Sequence, residues 1–138
     1  MNKVSITGTL SKSLSHFLEA NTLKLMRALG LRSTFLSIEL LSDKDMRNLK
    51  KRMLPKKSGP ANVLSFPDPG NFPPLGKLHP LGTIYLNREL NRKNPNELFF
   101  LLVHGTLHLV GYGHSKKRDI LNMVKREREL WQQILSLD

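Results

Sequence analysis

The 138-residue chain has no cysteine, which excludes disulfide staples, thiolate metal sites and a cysteine nucleophile. Long apolar runs are missing too. The longest, Leu98–Val103, is far too short to cross a bilayer. The opening Met1-Asn2-Lys3-Val4-Ser5-Ile6-Thr7 alternates instead of forming the continuous apolar core of a signal peptide. A soluble, cytoplasmic protein without a membrane partner is expected. Aromatic residues are only 7% of the chain and stand mostly at core-like positions, which gives little support to recognition by base stacking. Acidic residues are scarce: 11 Asp plus Glu face 22 Lys plus Arg, leaving a net charge of +11. Chemistry is left to histidine, the few carboxylates, hydroxyls and a bound metal.

What is present fits one domain over residues 1–138, long enough to bury a core without staples. The positive charge is clustered at Lys50-Lys51-Arg52, Lys56-Lys57, Arg92-Lys93 and Lys116-Lys117-Arg118. Clustered cations attract phosphates across a Debye length, which favours a nucleic-acid partner over a merely solvated basic surface. Arg52, Lys56, Lys57, Lys116, Lys117 and Arg118 are the candidate RNA contacts.

The hydrophobic pattern predicts a mixed α+β or α/β fold, one small mixed sheet of about four strands packed with helices, with elements in the order β-α-β-α-β-β-α-α. Strands are expected at Val4–Thr7, Thr34–Leu41, Asn62–Phe66 and Leu81–Leu86, with the proline-rich stretch from Leu54 to Pro80 otherwise irregular. Helices are expected over Ser11–Leu29, stopped by Gly30, and from the Ser42 cap to Met53. A third starts at Asn94-Pro95-Asn96-Glu97, with cap, first-position proline and capping-box acid, and runs to Val110. It is apolar all round, so it should be the central buried helix. Ser115 should cap a last helix whose apolar face carries Ile120, Val124, Leu130 (or Trp131) and Ile134.

The chemistry concentrates in His104-Gly105-Thr106-Leu107-His108-Leu109-Val110-Gly111-Tyr112-Gly113-His114. Residues four apart share a helix face, so His104 and His108 can hold one ion. Gly111 ends the helix, and the returning chain can bring His114 to the same ion. Three imidazoles leave a position for water, as catalytic zinc sites do. His16 and His79 read as a helix-surface and a loop residue. The same spacing occurs in metzincin proteases, which place Glu after the first His as general base. Here that position is Gly105, which disfavours a peptidase of that kind. No side chain stands out as the base. Asp119 is nearest in sequence, but it reads more naturally as a solvated carboxylate favouring its helix dipole.

His-Gly-Thr-Leu-His-Leu-Val-Gly-Tyr-Gly-His resembles the signature of the YbeY family of metal-dependent endoribonucleases. Asn62-Val63-Leu64-Ser65-Phe66-Pro67 and Leu81-Gly82-Thr83-Ile84 resemble that family's two other motifs, in the same order. The resemblance implies zinc ligation by His104, His108 and His114, with a metal-activated water cutting single-stranded RNA in ribosomal RNA maturation, and the small ribosomal subunit as a partner. The pattern departs at three places. Gly113 and Thr83 stand where the family usually has Asp, and Pro55 where it favours Arg. The two carboxylates are candidates for orienting the imidazoles or the metal water, so their replacement bears on rate more than on metal binding. Two other functions stay open: a catalytically weakened member that binds RNA or the ribosome, and a metal-dependent hydrolase of another substrate. The metal itself is open as well, since three imidazoles also suit nickel, copper and iron.

Overall fold

In the computed structural model, residues 1–8, 10–56, 62–70, 77–91, 94–113 and 116–135 are described. Four strands, β1 (Lys3–Thr7), β2 (Thr34–Leu41), β3 (Val63–Pro67) and β4 (His79–Asn87), form one sheet in the order β1-β2-β4-β3. β1 and β4 run parallel to β2, whereas β3 pairs antiparallel to β4 and forms an edge. β4 begins at His79, so this residue opens a strand and does not lie in the preceding loop.

Alternation decides which side of the sheet each strand buries. In β2, Thr34, Leu36, Ile38 and Leu40 are buried and the residues between them are only half so. Leu36, Ile38 and Leu40, with Val4, Ile84 and Leu86, meet α1 (Lys12–Ala28), α4 (Pro95–Leu109) and α5 (Lys117–Ile134) in the main core. The opposite face carries a smaller cluster in which Met46 and Leu49 of α2 (Asp43–Met53) pack with Leu64, Phe66 and Tyr85. A one-turn helix, α3 (Arg88–Asn91), was not evident from periodicity because it is too short to show any.

The helix ends follow local chemistry. Ser11 and Ser42 accept from the backbone N–H groups of Leu14 and Asp45. α1 closes with Gly30 at φ 76°, where Gly30 and Leu31 donate to the carbonyls of Arg27 and Met26. α4 starts at Pro95, capped by the Asn94 side chain on Asn96 N–H. It then buries Leu98, Phe99, Leu102, Val103 and Leu107 completely or nearly so, as an apolar central helix should.

The last helix departs from its sequence pattern. Its N-cap is Lys116, which makes no side-chain cap bond, and Ser115 lies outside the described residues. It buries Met123, Glu127, Leu130 and Ile134, leaving Ile120 and Val124 44% and 47% exposed. Leu130 and Ile134 keep their expected places on the buried face, while Met123 and Glu127 take those of Ile120 and Val124. The Glu127 carboxylate is thereby turned inward, where it has a partner on α4.

Candidate metal centre

His104 and His108 stand one turn apart on α4, each half-exposed, while the residues between them are buried. The helix thus presents both imidazoles at its margin from a rigid backbone. Their ring centroids are 4.7 Å apart with planes at 78°. The two Nε2 atoms approach to 3.2 Å.

The outer nitrogens explain this orientation. Nδ1 of His108 lies 3.0 Å from the backbone carbonyl of Tyr112. A carbonyl only accepts, so this Nδ1 carries the hydrogen. Nδ1 of His104 lies 3.0 Å from Oε1 of Glu127, and an ionised carboxylate imposes the same tautomer. With Nδ1 turned to these acceptors, the two Nε2 atoms face one another at 3.2 Å, a placement that suits a shared cation. Zinc at 2.0–2.1 Å from two tetrahedral ligands holds their nitrogens ~3.3 Å apart, close to the separation here. The donor set thus fits a divalent ion of the zinc class, each imidazole being backed by an acceptor as metal-ligating histidines usually are.

Two distant pieces of chain supply that backing. At the end of α4, Gly111 at φ 113° lets Gly111 and Tyr112 donate to the carbonyls of His108 and Leu107. This turn aims the Tyr112 carbonyl back at His108. Glu127 comes from the middle of α5 and is 7% exposed. Sequence reasoning missed it, although a carboxylate at helical spacing with Met123, Leu130 and Ile134 was a signal: a buried acid needs a partner. His114 lies outside the described residues. Among those described, no group of three or more His, Cys, Asp or Glu forms a metal cage.

The histidines line a cleft of about 360 Å³ whose other wall is Leu54 and the Val63–Phe66 stretch of β3. Gly105 belongs to the floor. A Cβ there would stand 3.2 Å from Cγ2 of Ile84 and 3.4 Å from Cγ2 of Val63. Position 105 is thus sealed against the sheet, with no room for the acid a metzincin carries. Gly113 has open space, since a Cβ would meet nothing within 4 Å.

Thr83 is on the wrong side of the sheet for a role at the imidazoles. Ile84 points at α4, so Thr83 points away and lines a second cleft of about 640 Å³ on the α2 face. A carboxylate at position 83 would therefore stand across the sheet from the His104 and His108 rings. Arg52 also lines this second cleft and not the histidine cleft. Lys56, Lys116, Lys117 and Arg118 are exposed, the last three at the start of α5, while Lys57 and the Arg92-Lys93 pair lie outside the described residues. Pro55 is exposed in the turn after α2. Asp119 is a half-buried first-turn carboxylate of α5. No described helix is long and apolar enough to cross a membrane.

Comparison with known proteins agrees with this architecture. The solution structure of a Thermotoga maritima protein superposes with a TM-score of 0.61 over 99% of this chain and 90% of that one. At 19% identity it shows the shared fold alone. Endoribonuclease YbeY of Aquifex aeolicus is 35% identical over 119 residues, covering 80% of this chain and 75% of that protein. Endoribonuclease YbeY of a Chelativorans species is 36% identical over 107 residues, covering 72% of this chain and 65% of its own length. The sequence model of the family Endoribonuclease YbeY matches residues 2–135. With histidine spacing, sheet and sequence in agreement, the chain belongs to the YbeY endoribonuclease family.

Proposed function

We propose that this chain is a metal-dependent endoribonuclease that cuts single-stranded RNA during ribosomal RNA maturation, with one zinc ion held by His104, His108 and His114. The observation that carries the reading is the 3.2 Å approach of the His104 and His108 Nε2 atoms, each ring backed by an acceptor at Nδ1. A divalent ion there supplies Lewis acidity toward a phosphodiester and brings the pKa of water near neutrality. His104 and His108 hold their lone pairs in place because Glu127 and the Tyr112 carbonyl keep Nδ1 protonated. His114 is the third ligand on sequence grounds, following the Gly111 turn by a short step.

Lys56, Lys57, Lys116, Lys117 and Arg118 hold phosphates without reading sequence. The cytoplasm is the setting of this reading, and the small ribosomal subunit the partner. The described residues that line the histidine cleft include no carboxylate.

The test is cleavage of ribosomal RNA by the purified chain, with and without chelator, beside His108→Ala. Cleavage lost in both controls is expected. Cleavage that persists in chelator and in the variant would overturn the reading.

A further inference from the structure

We infer that the cleft on the α2 face of the sheet binds a nucleobase of the single-stranded RNA whose backbone passes the histidines. This rests on the RNA reading proposed above and adds a subsite to it. Three of the few aromatic residues, Phe35, Phe66 and Tyr85, line this cleft, with Arg52, Ser37 and Thr83 among the polar groups between them. They come together because Phe35 and Ser37 alternate on β2, Thr83 and Tyr85 on β4, and all point away from α4.

The occupant follows from shape, chemistry and charge. At about 640 Å³ the cleft exceeds the size of one base. Every base offers a π-face to aromatic rings, and hydroxyls among those rings suit its polar edge. The Phe66 and Tyr85 rings already meet edge to face at 5.9 Å, so they form one apolar wall. Arg52 brings a cation to this lining and Asp68 is the acid among its described residues, while Glu39 hydrogen-bonds Tyr85 and Lys3 stands beside Phe35 in the strand register. Phe66 also lines the histidine cleft. A strand crossing the β3 edge therefore has the ion site on one side and a base pocket on the other. The Arg52 guanidinium among the aromatic rings and the Phe66 wall shared with the histidine cleft favour an RNA base over a protein side chain.

The test measures binding of a short oligouridylate to the full chain without added metal, against the same oligonucleotide carrying one abasic ribose at each position in turn. At one position, loss of the base should weaken binding about five- to hundredfold, the range that stacking of one base spans. Phe35→Leu, which keeps apolar volume and removes the π-face, should shrink that ratio toward one. To read the subsite without any substitution, wild-type chain is also cross-linked to 4-thiouridine oligonucleotide, with adducts expected on Phe35, Phe66 or Tyr85. An abasic penalty unchanged by Phe35→Leu, or adducts only elsewhere, overturns the subsite and leaves the cleft to a protein partner. Absence of any RNA binding overturns the subsite and the RNA reading together. A Phe35-dependent penalty without ribosomal RNA cleavage upholds the subsite and fails only the nuclease reading.

Discussion

Oε1 of Glu127 lies 3.0 Å from Nδ1 of His104, joining the middle of α5 to the histidine pair on α4. The carboxylate is largely withdrawn from water. It sits where an apolar residue would otherwise complete the helix face, so its place depends on what it holds.

Glu127→Gln keeps the shape and an acceptor oxygen but loses the charge, and should weaken zinc affinity about tenfold. Glu127→Leu removes the acceptor and should approach a hundredfold loss. Competition with a chromogenic chelator reads both, and equal affinity in all three proteins would show that Glu127 only fills space.

Gly105 is under steric control. Gly105→Ala gains helix propensity of about 1 kcal/mol but presses a Cβ on Ile84, so stability should change by less than ~1 kcal/mol. Adding Ile84→Ala, which removes the Cγ2 atom that the new Cβ presses on, should make the alanine substitution more favourable than it is on the wild-type background. Gly105→Glu buries a carboxylate against the sheet and should cost more than ~3 kcal/mol. Urea unfolding midpoints at constant slope check all three.

Gly111 is under conformational control. A Cβ there would touch nothing, yet φ is 113°. Gly111→Ala should cost on the order of 1 kcal/mol, and Gly111→Val more. Zinc affinity should fall as well, because the same turn aims the Tyr112 carbonyl at His108. Unchanged melting temperature and unchanged zinc affinity would refute the turn's role.

RNA association should be strongly salt-dependent. Four to six phosphate contacts on a single strand give a slope of about −3 to −4 in log affinity against log salt. Replacing Lys117 and Arg118 with Ala should reduce its magnitude by about one. His108→Ala should leave it nearly intact, since that side chain touches no phosphate in this reading. A salt-independent affinity would return the basic surface to a solubility role.

Alkaline stability should report on Tyr85. Burial, followed by the Glu39 charge and its hydrogen bond, raises the phenol above its ordinary pKa of 10.0, against a smaller opposing effect of Arg52. The folded protein therefore holds this proton more tightly than the unfolded chain. The resulting stability is fully present below about pH 10 and is lost as pH rises through the elevated folded value. Tyr85→Phe should flatten the fall in melting temperature above pH 10 relative to wild type, and parallel curves would show that the phenol does not contribute.

Local sequence was enough for the strands, the principal helices and most of their ends, because alternation, caps and stop glycines act over a few residues. Thr34–Leu41 and Asp43–Met53 fall where alternation and the Ser42 cap place them. The pairing of His104 with His108 was also legible, since helical pitch alone puts residues four apart side by side. Tertiary structure decided what no local rule contains. It turned α5 so that Glu127, not Ile120 or Val124, faces inward, because a distant imidazole needed an acceptor. It put Thr83 across the sheet from the histidines, because strand alternation becomes a statement about sides only once α4 has chosen one face. It gathered Phe35, Phe66 and Tyr85, far apart in sequence and individually core-like, into one open wall, because β2, β4 and β3 are neighbours only in the folded sheet.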